Sequence, residues 1–220
     1  MTDFNKARRA MVETQLRTSN VTDRRVLAAM GEVPREAFMP EARRGLAYSD
    51  DSHPLEAGQG RRLLPPAAVI GKLLQLADIE STDKVLSVAS GAGYTVAVLS
   101  RLAAEVVGVE TDAVLAAQSR AALAAVGYDN AVIIEGALSA AAQNKAPFDL
   151  IVLEGTVDET PAEYFPLLAD GGRLVALLRQ GPVAVAHLYV KSGRDVASRA
   201  DFDGVLAPLP SQKTVEEFVF

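Results

Sequence analysis

Residues 85–112 read VLSVASGAGYTVAVLSRLAAEVVGVETD. A β-branched apolar run, Val85 to Val88, stops at a loop holding Gly91-Ala92-Gly93. Apolar residues then recur at helical spacing from Tyr94 to Leu102, and a second β-branched run, Glu105 to Val109, ends at Glu110. Strand, glycine turn, helix and strand in this order make a βαβ unit, in which the glycines let the backbone turn tightly and approach a ligand closely. Glu110 follows Gly91 by 19 residues. At a second strand end, a carboxylate at that separation can accept both hydroxyls of a ribose. The stretch therefore points to a nucleoside cofactor.

Outward from this unit the alternation continues. Helical spacing covers Ala113 to Val126, followed by short apolar runs at Ala131 to Ile134, Phe148 to Leu153 and, after the turn Ala169-Asp170-Gly171-Gly172, Gly172 to Leu178. HLYVKSG and the stretch from DFDGVLAPLP to the terminal EEFVF supply two further strands, antiparallel to the rest. The expected fold is α/β, a doubly wound, mostly parallel, seven-stranded Rossmann-like sheet covered on both faces. Such sheets bind ligands at the carboxyl ends of their strands, near the topological switch point. Upstream, VETQLRTS and DRRVLAAMGEV read as short helices closed by Pro34 and Pro40. A loop rich in Gly, Pro and charge then runs from Tyr48 through Gly58-Gln59-Gly60-Arg61-Arg62 to Pro65-Pro66. We divide the chain into a helical N-terminal region with this loop, residues 1–66, and a Rossmann-like domain, residues 67–220, together one compact unit.

Composition narrows the function. The 220 residues contain no cysteine, which excludes disulfides, thiolate metal sites and cysteine nucleophiles and is compatible with a reducing cytoplasm. MTDFNKARRAMVETQ has no apolar segment of a secretory signal, and no apolar run reaches the ~18 residues of a membrane helix, so the expected location is cytoplasmic. A net charge of −6 argues against nucleic acid as the main partner. The charge is uneven, +2 over residues 1–62 and −8 over 63–220. The basic part either covers an acidic site or is a solvated surface. No metal site is expected. Among nucleosides, NAD is disfavoured because Val96 fills the third glycine position of the dinucleotide fingerprint, and ATP or GTP hydrolysis because no Gly-Lys-Ser/Thr occurs. S-adenosylmethionine needs a ribose carboxylate and a close backbone but no pyrophosphate site, and fits best.

Segments spread along the chain carry a resemblance. MVETQLR, DRRVLAAMGEVPREAFMPE, LAYSD, GAGYTVAVLSRL, VVGVE, GYDNAVIIEG, APFDLIV and LLADGGRLV resemble, in the same order, the protein-L-isoaspartate O-methyltransferase family. The resemblance implies a class I S-adenosylmethionine-dependent methyltransferase. It would move a methyl group to the misplaced α-carboxylate of isoaspartyl residues in damaged proteins, with S-adenosylhomocysteine as product. The ester would then close to a succinimide that hydrolyses in part to normal aspartate. A carboxylate ionised at pH 7 needs no strong base, so His53 and His187 read as bystanders. No catalytic residue is assigned, and orientation and water exclusion are expected to supply most of the rate. The oligomeric state is left open.

The resemblance assigns cofactor binding to Ser87, Ala89, Ser90, Gly91, Ala92, Gly93, Glu110, Thr111, Gly136 and Ala137, and acceptor binding to Gly60, Arg61, Arg62, Leu64 and Glu154. Several of these positions depart from the family. Leu64 stands in place of a substrate-contacting serine, Ser87 of an acid, Ala89 of a glycine, and Ala137 of an acid that addresses the adenine amino group. Arg61 or Arg62 could hold the acceptor carboxylate in a charge-assisted fork, or simply face solvent. Glu154 would repel a carboxylate substrate or bind a cationic one. Glu135 is either a substitute for the lost adenine anchor or an ordinary strand-end carboxylate. Tyr94 either touches the cofactor or packs in the core. Three other readings stay open: a methyltransferase with another acceptor, a non-catalytic binding scaffold, and a nicotinamide-linked oxidoreductase. Glu110→Ala is expected to weaken cofactor binding at least tenfold with the melting temperature almost unchanged.

Overall fold

The computed structural model describes residues 3–210. Asp3 caps helix α1 (Phe4–Met11) by accepting from the Lys6 amide. A wide π-type turn and a 3₁₀ turn prolong it to Ser19, until Asn20 adopts a left-handed conformation and ends it. The helix expected from Val12 therefore begins eight residues earlier. Asp23 caps α2 (Arg24–Glu32) in the same way. A two-residue antiparallel pair, β1 (His53–Pro54) and β2 (Leu63–Leu64), closes the glycine-rich loop into a hairpin. Helix α3 (Ala67–Leu76) follows Pro65-Pro66.

The central sheet has seven strands: β3 (Lys84–Val88), β4 (Glu105–Glu110), β5 (Ala131–Glu135), β6 (Phe148–Val157), β7 (Leu168–Gln180), β8 (Val183–Ser192) and β9 (Asp195–Gly204). Helix α4 (Tyr94–Ser100) joins β3 to β4, and α5 (Ala113–Val126) joins β4 to β5. The spatial order is β5-β4-β3-β6-β7-β8-β9. Strands β3 to β7 are parallel, and β8 and β9 antiparallel. The chain progresses outward on one side of β3 and then, from β6, on the other, so the topological switch lies between β3 and β6.

Two expectations are corrected. DFDGVLAPLP is not one strand. DFDG completes β9, while Val205 to Pro210 leaves the sheet edge and returns to the end of β6, where Thr156 N bonds Ala207 O at 2.9 Å and Leu209 N bonds Thr156 O at 2.8 Å. Pro208 and Pro210 lack the amides that a continued ladder would need. EEFVF lies outside the described residues. The second face of the sheet is covered by 3₁₀ turns, Gln143–Lys145 and Ala162–Leu167, rather than α-helices. Pro147, Pro161 and Pro166 interrupt those connections.

Each face buries its own apolar cluster. Val85, Val106, Leu150, Val152 and Val175 pack with Met11, Leu16, Met30, Ile70 and Leu74, so the N-terminal helices share the core of the sheet. On the other face Leu86, Val88, Val107, Val109, Ile151 and Leu153 meet Leu138, Tyr164 and Leu167. The alternation of β3, with Val85 on one face and Leu86 on the other, is that of a strand buried on both sides. These contacts fix the carboxyl ends of β3, β4 and β6, where the loops of interest begin.

Candidate active site

Glu110 is fully buried and receives every donor in its reach. Gly91 N lies 2.7 Å from Oε2, Asp112 N 3.0 Å from Oε1, and the Thr111 hydroxyl 3.4 Å from Oε1. The guanidinium of Arg62 forks onto both oxygens at 2.5 and 2.7 Å, with its side chain 14% exposed. The same guanidinium lies 3.4 Å from the Ala89 carbonyl. The loop that carries Arg62 thus lies across the carboxyl end of β4.

Asp112 holds the loop there. It caps α5 by accepting from Leu115 N at 3.0 Å, and it also accepts from Gly58 N at 3.1 Å and Gln59 N at 2.8 Å. Partial burial opposes its ionisation, but these backbone donors outweigh that and hold its carboxyl below the ordinary range. Arg35, fully buried, donates to the carbonyls of Ala47 and Pro65 at the far end of the loop. Neither residue was singled out from sequence. The N-cap position of Asp112 before a helical run was a readable signal. A buried arginine whose partners are carbonyls leaves none.

A narrow cleft opens at the switch point, lined by Leu55, Arg61, Arg62, Leu64, Ala89 to Ala92, Glu154, and Ala207, Pro208 and Pro210 of the returning segment. Most of the residues selected from sequence therefore meet. Ser87 lies behind the cleft and Gly93 at the start of α4, while Gly60 sits at the hairpin tip with a left-handed backbone. Gly136 N bonds the Glu110 carbonyl at 3.0 Å, and Ala137 beyond it is exposed. Leu64 is buried in the core cluster. Glu135 stands opposite Glu110 in the ladder, but its side chain is about half exposed and faces Arg120 at 3.9 Å. Tyr94 is buried, with Arg35 over its ring at 4.7 Å and Phe38 edge-on at 5.9 Å. His53 packs beside Ser49, and His187 stacks on Tyr189.

Comparison with known proteins bears on this arrangement. A profile of the family described as Protein-L-isoaspartate(D-aspartate) O-methyltransferase (PCMT) matches residues 6–212. The chain belongs to this family. The protein-L-isoaspartate O-methyltransferase 2 of Anaeromyxobacter sp. (strain Fw109-5) is 41% identical over 183 residues, 83% of this chain and 73% of the relative. The protein-L-isoaspartate O-methyltransferase of Koribacter versatilis is 40% identical over 190 residues, covering 86% of this chain and 83% of the relative. Among solved structures, a Plasmodium falciparum protein-L-isoaspartate O-methyltransferase in complex with S-adenosyl-L-homocysteine superposes with a TM-score of 0.77 at 19% identity, over 92% of this chain and 98% of that one. Another structure with the same enzyme name gives 0.80 at 21% identity, over 93% and 66%. At these identities the superpositions establish the class I methyltransferase fold.

Against the PCMT pattern, two departures acquire a structural reading. Ala89, in place of the family's glycine, keeps a left-handed backbone with φ 59°. An L-side chain in that region costs roughly 1–2 kcal/mol. Ala89→Gly is therefore expected to raise stability by about 1 kcal/mol and the melting temperature by about 2–4 °C, as read by thermal denaturation. An unchanged or lower melting temperature would count against the strain. The second departure is paired. Ser87, where the family has an acid, donates its hydroxyl to Glu154 on the adjacent strand, so a carboxyl returns to that place from β6.

Glu154 continues the alternation of β6, on the face of Leu150 and Val152, where it meets Ser87 and lines the cleft. Val152 pairs with Val175 and Thr156 with Leu177, so the three residues between Val152 and Thr156 oppose Ala176 alone. Burial in the cleft pushes the Glu154 carboxyl up to about 7. Ser87 and Thr95 favour the ionised form, Glu110 opposes it, and Arg62 favours it. Near neutrality the carboxyl exists in both forms and can either donate or accept.

Proposed function

We propose that this chain performs its family's reaction, methyl transfer from S-adenosylmethionine to the α-carboxylate of an isoaspartyl residue in a protein. The observation that carries the reading is Glu110. It is a fully buried carboxylate at the end of β4, bonded to Gly91 N and to the Arg62 guanidinium, both of which line the switch-point cleft. The residues suit the cofactor in two further respects. A Cβ at Gly93 would lie 2.2 Å from Ser119 Oγ, so only glycine keeps the loop against α5, and the buried Ser90 Oγ on the cleft wall has no hydrogen-bond partner among the described residues.

In this reading Glu110 holds the ribose, Ser87, Ala89, Ser90, Gly91, Ala92 and Gly93 shape the wall along the cofactor, and Thr111, Gly136 and Ala137 edge its nucleoside end. Gly60, Arg61, Arg62, Leu64 and Glu154 form the acceptor side. When bound, S-adenosylmethionine would supply an electrophilic sulfonium methyl group for the acceptor carboxylate. The chain's own residues orient the carboxylate and exclude water. Leu55, Leu64, Pro65, Pro208 and Pro210 make the mouth apolar, and Arg61, Arg62 and the protonated form of Glu154 offer donors. A net charge of −6 suits a protein acceptor rather than nucleic acid. The place of action is the cytoplasm, where the cofactor is available.

Calorimetric titration with S-adenosylmethionine, followed by methylation of paired isoaspartyl and aspartyl peptides, tests the reading. Micromolar binding and methylation confined to the isoaspartyl peptide are expected. A second reading, a non-catalytic scaffold, draws on one observation: Arg62 lies on the ribose carboxylate. No binding up to millimolar cofactor would favour the scaffold.

Glu154 gives the reaction a pH signature. Its folded value of about 7 lies above the ordinary carboxyl value of 4.5. As pH rises from 4.5 to 7 the unfolded chain releases this proton while the folded chain keeps it, so stability falls across that window and stays lower above it. Relative to Glu154→Gln, the wild type is expected to lose on the order of 1–3 kcal/mol between pH 4.5 and 7.5, as read by urea denaturation. The KM for an isoaspartyl peptide should rise with pH through 7 in the wild type, as a donor becomes a like charge, and stay flat in Glu154→Gln. Parallel profiles for the two proteins would remove Glu154 from the acceptor site.

A further inference from the structure

The two oxygens of Glu110 accept five contacts: Asp112 N, the Thr111 hydroxyl and Arg62 Nη1 on Oε1, and Gly91 N and Arg62 Nη2 on Oε2. A carboxylate offers about four lone-pair sites. Two further hydroxyl donors cannot be added to this set. The amides of Gly91 and Asp112 belong to the β3–α4 and β4–α5 turns and cannot leave without unfolding them, whereas Arg62 is a side chain from a separate hairpin. A ribose at Glu110 and the Arg62 fork are therefore mutually exclusive.

Once released, Arg62 has few places to go. The hairpin is pinned on both sides of it. Gly58 N and Gln59 N bond Asp112, the Arg62 carbonyl accepts from Leu55 N at 2.9 Å, and Gln118 bonds the Glu56 carbonyl at 3.2 Å. The guanidinium stays at the cleft, always charged, among Leu55, Leu64, Pro65, Pro208 and Pro210. Glu154 is the acidic side chain on that lining, and its raised value leaves much of it neutral near pH 7. A cation in such surroundings needs an anion. Leu64, which cannot donate, faces the same cleft.

We propose that Arg62 is a positioning residue shared between the two ligands: Glu110 holds it until a ribose takes that carboxylate, and it then anchors the carboxylate of the methyl acceptor, so that the cofactor binds first. The inference rests on the methyltransferase reading above and deepens it. It makes the acceptor a carboxylate-bearing peptide and makes acceptor affinity depend on cofactor occupancy. Ionised Glu154 competes for the same arginine, as Glu110 does.

Binding measurements on the full chain test this without turnover. Wild type, Arg62→Gln and Arg62→Lys are first compared by circular dichroism, then titrated with S-adenosylhomocysteine. A fluorescent isoaspartyl peptide is followed by anisotropy with and without saturating S-adenosylhomocysteine. Removal of a charge-assisted competitor should tighten S-adenosylhomocysteine binding to folded Arg62→Gln roughly tenfold, with Arg62→Lys between it and wild type. The wild type should bind the peptide at least tenfold more tightly with S-adenosylhomocysteine than without. Arg62→Gln should bind it weakly in both conditions. A purely structural arginine would weaken both ligands together. Unchanged or weaker S-adenosylhomocysteine binding in Arg62→Gln overturns the competition, and if that variant does not fold, the same comparison is decided on Arg62→Lys. Tighter S-adenosylhomocysteine binding with no peptide coupling overturns the acceptor role. If the peptide is not methylated at all, it is the assigned reaction that fails, and the S-adenosylhomocysteine titration still decides the competition at Glu110.

Discussion

Glu110→Ala should lower the stability of the protein measured without cofactor by about 3–5 kcal/mol, a fall in melting temperature of roughly 10 °C or more for a chain of this size. Cofactor affinity should fall at least tenfold as well. The sequence-based expectation that the melting temperature would hardly move treats Glu110 as a carboxylate awaiting a ligand. In the fold it is fully buried and paired with Arg62, and it satisfies Gly91 N and Asp112 N. Truncation leaves a guanidinium 14% exposed and two amides without an acceptor. The companion variant Glu110→Ala with Arg62→Ala isolates the ionic part. It should regain more than about 1 kcal/mol over the single variant, since the unpaired cation is gone. Thermal and urea denaturation read both. A single variant as stable as wild type would mean that the pair adds nothing to the fold.

Gly93→Ala should cost about 2–4 kcal/mol, from a left-handed backbone and a steric overlap acting together. Gly93 has φ 93°, and a Cβ there would lie 2.2 Å from Ser119 Oγ and 3.1 Å from Ser119 Cβ. Because α4 begins at this residue, the strain falls on the turn that presents Gly91 N to Glu110, and cofactor affinity should fall with stability. Adding Ser119→Gly removes the overlap but not the backbone strain, so it should restore about half of the loss in urea denaturation. Full restoration would assign the whole effect to packing, and no loss in Gly93→Ala itself would show that α4 and α5 can separate at little cost.

Much of this was legible in residues 85–112 alone. The two periodicities, the glycines between them and the acid at the second strand end state a βαβ unit and its ligand-facing end, because these follow from local geometry: pleat, helical turn and permitted φ. The parallel sheet and the antiparallel pair at its edge follow from the same signals repeated. Segments scattered over the chain add the family, since ancestry is recorded in residue identity at many positions at once.

Other features were decided only by tertiary contacts. Arg62 is either a surface residue or an acceptor fork when read in its own loop, and becomes the partner of Glu110 only because Asp112 pins the hairpin over β4, 48 residues away in sequence from Arg62 to Glu110. Glu154 continues a run that alternates regularly, but its place beside Ser87 and on the cleft wall depends on the neighbouring strand and the loops above it. The loss of an acid at 87 and the gain of one at 154 look independent until the adjacent strands bring the two side chains into contact. Electrostatic partners are chosen by proximity in space, and a buried charge takes its value from neighbours drawn from several elements. The sheet, its glycine turn and the family are therefore products of short-range geometry and inherited identity, whereas the choice of which charges pair and which carboxyl stays near neutral rests on energies that depend on distances only the folded chain sets.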